Sequence, residues 1–392
     1  MDVLQTPYFL IKTAEIDKLI DEAFSVLHSK WPQGIIGYSF KTNNLPWIIT
    51  HMKKKKIWAE VVSSDEYLLA KALGFEIEHI IFNGPVKGKK EFIEAVENGA
   101  KVNIDSKREL SWLLECDSEK IKNASVGLRV NFCIEDYCEG ESQCGKEDGR
   151  FGFSYECGEL YEAISFLKKN DIVLSGFHMH CSSKTRSVNV YKAIAEMVVN
   201  IVREYSLELE YVDIGGGFFG GVPGKPSFES YFSEVYEIFK KEPLLSKTNL
   251  IIEPGISLIG SGIDYITTVV DEKVTKNNRF VLLDGSRIHI DPFKRKTRYD
   301  YSFKRRQETF EKQSQILCGF TCMEDDRFFE IDDTKLSVGD QVVFERVGAY
   351  TMGLIPQFIE FYPAVYAEVD NKKMLVRKKN THEDFLVTNF DE

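Results

Sequence analysis

IIGYSFKTNNLPWIITHMKKKKIWAEVVSSDEYLLAKALGFEIEHIIFNGP, residues 35–85, holds three short apolar runs at 35–41, 57–63 and 79–85, separated by longer amphipathic stretches. This alternation marks parallel strands joined by helices. The linker SDEYLLAKALGF (64–75) opens on polar and acidic residues, carries apolar residues at helical spacing and ends near Gly74. The next, KKEFIEAVENGA (89–100), does the same and ends near Gly99. Both glycines read as helix C-caps. Working outward, further runs of the same kind lie at 101–106, 125–131, 174–180, 211–217 and 250–255. The eight runs predict a closed (β/α)8 barrel over residues 34–265.

The chain of 392 residues is longer than the ~250 of one barrel, so a second domain is expected. Beyond residue 265 the pattern changes to RFVLLDG (279–285), QILCGF (315–320) and DQVVFERVGAY (340–350), separated by polar turns. These predict a mainly antiparallel β domain over 266–392. Residues 1–33 are assigned to it as well, through the strand-like PYFLI (7–11) ahead of the helix EIDKLIDEAFSVL (15–27). Residues 138–150, rich in Gly, Glu and Asp, read as an exposed loop before a helix around 160–169.

A net charge of −11 argues against nucleic acid as a partner, because phosphates are met by a basic face. No window approaches the ~20 apolar residues of a membrane span. The N-terminus lacks the charged and apolar segments of a signal peptide, so a cytoplasmic location is expected. The eight cysteines show neither CxxC pairs nor zinc-finger spacing; reduced thiols and no metal centre are expected. Two basic runs, 53–56 and 294–306, read as solvated faces or as a dock for an anionic partner.

Barrel enzymes set their reactive groups where strands end. Here the runs end on Lys41, Glu60 to Ser63, Asn83 and Gly84, Asp105, Arg129, His180, Gly215 to Gly217, and Glu253. Each suits pyridoxal 5′-phosphate. A lysine amine can bind its aldehyde. Gly215, Gly216 and Gly217 could close their N–H groups on a phosphate, although a tight turn is the plainer reading of three glycines. Glu253 could hold a proton on the pyridine nitrogen, and His180 could lie against the ring.

These residues carry a resemblance over nearly the whole chain. TPYFLI, YSFKTNN, AEVVSSDE, FNGPVKGKKE, NIDSKREL, GLRVN, RFGF, GFHMHCSS, DIGGGFFGG, EPGISL, CGFTCMEDD and GAYTM follow in order. The sequence resembles the alanine-racemase-like barrel decarboxylases that act on diaminopimelate, ornithine and arginine. The resemblance implies that Lys41 binds the cofactor and His180 stacks on it. It implies that Ser183, Gly215 to Gly217 and Gly255 hold the phosphate with Tyr350, that Glu253 meets the pyridine nitrogen, and that Arg129 lies beside the histidine. It further implies a homodimer with shared active sites. The partner's copy of Cys322 would then protonate the carbon that loses carbon dioxide, with Asp326 at the far end of the substrate.

Two departures stand out. The family follows EPG with an arginine that helps hold the phosphate, and this chain has Ile256; a missing charge-assisted hydrogen bond costs about 1.5–3 kcal/mol. The family's diamine and diaminopimelate enzymes carry an acid directly after the cysteine, whereas here Met323 stands there and the acid is missing or displaced to Glu324. With the closing LVRKKNTHEDF (375–385), this pattern looks more like the branch serving antibiotic and siderophore assembly, whose amino-acid substrate is conjugated or carrier-bound. Three alternatives remain at this level: a diaminopimelate or diamine decarboxylase of primary metabolism, a racemase on the same fold, and a non-catalytic relative that binds a partner protein. Glu253 speaks against the racemase, which sets an arginine at the pyridine nitrogen.

Overall fold

The computed structural model describes residues 4–145, 147, 149–306 and 311–389; positions 146 and 148 of the expected loop lie outside the described residues. The chain divides into two compact units, Leu19–Ser257 and the combination of Met1–Lys18 with Leu258–Glu392. Strand β1 (Tyr8–Lys12) opens the chain, and helix α1 (Thr13–Lys30) carries it from one unit to the other.

In the first unit strands and helices alternate as β2 (Ile35–Ser39), α2 (Pro46–Lys54), β3 (Trp58–Val61), α3 (Ser64–Ala72), β4 (Ile80–Phe82), α4 (Lys89–Glu97), β5 (Lys101–Ile104), α5 (Lys107–Leu113) and β6 (Ser125–Asn131). A two-strand-residue element, β7 (Phe153–Ser154), precedes α6 (Glu159–Lys169), β8 (Leu174–His178), α7 (Val188–Tyr205), β9 (Tyr211–Asp213), α8 (Phe228–Phe239) and β10 (Asn249–Ile252). The pairings between these strands are parallel, and β10 pairs with β2 while β5 pairs with β6, so eight strands close on themselves. The barrel expectation holds. Closure leaves no strand edge in need of a partner.

Local sequence explains where two of the helices start. Ser63 and Ser106 cap α3 and α5 by accepting the N–H of Glu66 and Glu109. Each glutamate turns back to the segment before its cap, Glu66 to the N–H of Val62 at 2.8 Å and Glu109 to that of Asp105 at 2.9 Å. This is a capping box shifted by one residue. Its effect is to fix the chain just past the ends of β3 and β5, where site residues stand.

The second unit centres on β1, which lies between β11 (Ile263–Val274), antiparallel, and β17 (Ala364–Val369), parallel. Beyond residue 274 come β12 (Arg279–Leu283), β13 (Asp300–Lys304), β14 (Gln315–Cys318), β15 (Arg327–Ile331), β16 (Gln341–Glu345) and, after β17, β18 (Lys372–Arg377). Pairing is mainly antiparallel, and β12 with β14 is a second parallel pair. Tyr8, Leu10, Ile266, Val343 and Ala364 form one buried cluster, in which Leu10, Ile266 and Val343 each give about 1.5–3 kcal/mol when fully buried. PYFLI supplies β1 of this unit, whose boundaries fall at 18/19 and 257/258 rather than at the expected 33/34 and 265/266. The basic stretch 294–306 is knit into the same unit: Lys294 pairs with Asp325 at 2.6 Å, and β13 lies along β16. Among the described residues no helix is long and apolar enough to cross a membrane.

Candidate active site

Lys41 does not end its strand. β2 stops at Ser39, and Lys41 sits in the 3-10 turn Phe40–Thr42 that follows. Its Nζ meets Glu60 Oε2 at 3.1 Å, and the Ser39 hydroxyl donates to the same oxygen at 2.6 Å. Glu60 is 1% exposed, so its charge needs these partners. Asn83 donates to Glu60 Oε1 at 3.0 Å and also to Glu253 Oε1. Asn103 in turn donates to Asn83 Oδ1, and the Tyr211 hydroxyl to Asn103 Oδ1, both at 2.8 Å. A chain of hydrogen bonds thereby links Lys41 to Glu253 through Glu60 and Asn83. Sequence reasoning placed Glu60 and Asn83 at strand ends without giving either a role; the available signal was a polar residue set inside an apolar run.

Glu253 follows β10 and shares a buried cluster with His178 and Asp213, whose side-chain nitrogen and oxygen atoms all lie within 4.8 Å of one another. His178 Nε2 is 3.4 Å from Glu253 Oε2. Burial pushes both carboxyls up, but they divide. Asp213 is raised further by the charge of Glu253, while the His178 ring, the Asp213 carboxyl and Lys41 outweigh burial and hold Glu253 below the usual carboxylate range. One proton on Asp213 and a charge on Glu253 is the arrangement this favours. Burial, with the charges of Arg129 and Lys41, pushes His180 down to about 3, so its imidazole is neutral.

The triple glycine is a close-packed cradle. A Cβ on Gly215 would meet His180 Nδ1 at 2.3 Å, and one on Gly216 would strike the Glu253 carbonyl oxygen at 2.1 Å. Gly215 and Gly217 have φ of +71° and +94°, and the Gly215 N–H is held by Asp213 Oδ1 at 2.8 Å. Gly255 packs just as tightly on Thr42, the neighbour of Lys41. His180 Nδ1 and Asp213 Oδ2 are buried with no hydrogen-bond partner among the described residues. A close-packed glycine turn, a neutral histidine, an ionised glutamate and a lysine within one barrel rim fit an aromatic aldehyde phosphate with a basic ring nitrogen.

Arg129, on β6, pairs with Asp105 at 3.2 Å and stacks its guanidinium over Phe151 at 4.5 Å. A cavity of about 330 Å³ beside His180 is lined by Arg129, Phe132, Arg150, Phe151 and Cys181. Ser183 donates its hydroxyl to Glu141 at 2.8 Å.

The remaining expected residues belong to the β unit. Cys322 is an exposed free thiol, and Tyr350 is 44% exposed with φ of +55°. Asp326, expected to reach toward the substrate, turns inward instead. It is 2% exposed, and its two oxygens accept from Ser286 Oγ at 2.9 Å, Arg287 N–H at 3.0 Å, Thr321 N–H at 3.0 Å and Thr321 Oγ1 at 2.7 Å. A buried carboxylate needs such donors, and they fold the loop that carries Cys322. Met323 helps seat Lys294, whose Nζ is 3.7 Å from its sulfur, and Glu324 is 98% exposed at the side chain, 3.4 Å from Arg327.

Residues 17–260 match the family described as pyridoxal-dependent decarboxylase, pyridoxal binding domain. Diaminopimelate decarboxylase of Aquifex aeolicus is 26% identical over 379 residues, 94% of this chain and 88% of that protein. The L-glutamyl-(BtrI acyl-carrier protein) decarboxylase of Niallia circulans is 25% identical over 418 residues, 98% of this chain and 94% of that protein. The crystal structure of diaminopimelate decarboxylase from M. jannaschii matches with a TM-score of 0.88 and 24% identity, covering 99% of this chain and 93% of that one. By its matched barrel the chain belongs to the pyridoxal-dependent decarboxylase family, a pyridoxal 5′-phosphate enzyme that decarboxylates an amino acid.

Proposed function

We propose that the amino acid taken by this enzyme is conjugated at its far end, to a carboxylated unit or a carrier, in the assembly of a specialised metabolite. One observation carries the reading: each carboxylate of the loop after Cys322 already has a partner in its own unit. Glu324 faces Arg327, Asp325 pairs with Lys294, and Asp326 is consumed by its own turn. With Met323 in the first position, this loop holds no unpaired acid for a distal ammonium group. Similarity to an enzyme named for a carrier-linked glutamyl substrate supports the same direction. Similarity to several diaminopimelate decarboxylases favours the second reading, free diaminopimelate.

In either reading the residues divide the work alike. When bound, pyridoxal 5′-phosphate supplies the electron sink for the pair left behind as carbon dioxide departs. Lys41 anchors its aldehyde. His180, neutral, would face the ring with Arg129 beside it, and Glu253 would keep a proton at the ring nitrogen. Gly215, Gly216, Gly217, Gly255 and Ser183 would hold the phosphate. Cys322 of the second subunit in a homodimer returns a proton to the carbon, and Glu324 and Met323 of that loop border the far end of the substrate.

The test is direct competition. Enzyme loaded with pyridoxal 5′-phosphate is given free diaminopimelate, free glutamate and a glutamyl thioester of a carrier protein, and loss of carbon dioxide is read by mass spectrometry. Turnover of the thioester alone is the expected result. Turnover of diaminopimelate with none of the thioester would replace the first reading by the second.

A further inference from the structure

We propose that Glu141 is the resident anion at the phosphate end of the pocket, and that the cofactor phosphate binds by displacing it. This rests on the reading of Ser183 as a phosphate ligand. Glu141 Oε2 accepts from Ser183 Oγ at 2.8 Å and from the Thr185 N–H at 3.3 Å, while Oε1 takes the Thr185 hydroxyl. Three donors of one turn thus converge on one carboxylate, the arrangement a phosphoryl group would use. The hydrogen bonds from Thr185 and Ser183 outweigh burial and hold the Glu141 carboxyl below its usual range, so the occupant is charged.

A strap carries it there. Lys184 N–H donates to the Glu141 carbonyl at 2.7 Å, Gln143 N–H to the Ser182 carbonyl at 3.2 Å, and Ser142 and Ser183 form an antiparallel bridge. From the other side the Glu135 carboxylate takes the N–H groups of Gly140 and Ser142 at 2.7 and 2.6 Å.

The turn is laced to the glycine cradle. Ser187 caps α7 directly after it, and Tyr191 in the first turn of α7 donates to the Gly216 carbonyl at 2.8 Å. The Tyr231 hydroxyl donates to the Arg186 carbonyl at 2.7 Å and accepts the Phe219 N–H at 3.5 Å. A phosphate on this surface and the Glu141 carboxylate need the same serine hydroxyl and repel each other. Ile256 sharpens the conflict, because without an arginine after EPG the Ser183 turn is a larger share of what the phosphate can bind. Arg186, its guanidinium over Phe219 at 5.1 Å, keeps positive charge at this turn.

Equilibrium dialysis of pyridoxal 5′-phosphate and of pyridoxal against wild type, Glu141→Gln and Ser183→Ala tests the exchange without reading activity. Glu141→Gln should tighten the phosphorylated form about three- to tenfold, the effect of removing one partly exposed like charge, and leave pyridoxal within about twofold. Ser183→Ala should weaken the phosphorylated form alone. In unmutated protein, amides of 139–145 should exchange hydrogen faster once pyridoxal 5′-phosphate is bound, and not with pyridoxal. Unchanged or weaker binding by Glu141→Gln, or a strap equally or better protected in the complex, overturns the inference while Ser183 keeps its role if its own variant weakens binding. If Ser183→Ala binds like wild type, the role of Ser183 and the exchange fall together.

Discussion

Asp213 and Glu253 are two carboxyl groups in one buried cluster, and only one of them is ionised at low cost. A proton on Asp213 leaves Glu253 as the charged member, the one proposed to meet the ring nitrogen. Asp213→Asn keeps a neutral partner in place, so its kcat should stay within about tenfold of wild type, whereas Glu253→Gln removes the charge and should lose about 10²-fold or more. Steady-state kinetics of the two variants checks this; equal losses would mean that Asp213 carries charge as well. At this scale the sequence was legible where a polar residue closed an apolar run, as with Lys41, His180 and Glu253. It was silent on Asn103 and Asp213, because a polar residue within a strand gives no sign of facing another across a barrel. Nor could the spacing of Asp326 from Cys322 show that its carboxylate takes donors from Ser286 and Arg287, far off in sequence.

The helices α3 and α5 show what their capping boxes cost. Burial raises the Glu66 carboxyl from 4.5 to about 7, partly opposed by the Val62 N–H and reinforced by the charge of Glu60. The folded chain therefore binds a proton more tightly than the unfolded one. The stabilisation is full below pH 4.5 and is lost as pH rises through about 7. Glu66→Gln should flatten this loss and be more stable than wild type at pH 8 by about 1–3 kcal/mol, with a smaller difference at pH 5. Urea unfolding at both pH values measures it. Glu109 differs, because Lys87 pairs with it at 2.9 Å and both side chains are fully buried. Lys87→Met strands a buried carboxylate and should cost about 3–5 kcal/mol, part of which Lys87→Met with Glu109→Leu should regain. The serine and glutamate spacing of both boxes could be read from sequence; the lysine beneath one of them could not, since it arrives from a different β/α unit.

For the whole molecule, the eight-strand alternation made the barrel legible because each strand pairs with near neighbours in sequence. The β unit was legible only as a class. Its central strand β1 pairs with β17, setting Tyr8 opposite Ala364 and Lys12 opposite Glu368, and no local pattern encodes so distant a partner. The proposed sharing of sites across a homodimer has a test at this scale. Mixing inactive Lys41→Ala with inactive Cys322→Ala under subunit exchange should restore about a quarter of wild-type sites, one per mixed dimer. A mixture that stays inactive while mixed dimers are seen by native mass spectrometry would place both residues in one subunit's site. Lys41 is the residue proposed to hold the cofactor. Protein incubated with pyridoxal 5′-phosphate, reduced with borohydride, digested and mapped by mass spectrometry tests it most directly. The cofactor's mass should appear on the peptide containing Lys41 and vanish in Lys41→Ala; a label on another lysine, or none, would contradict the account.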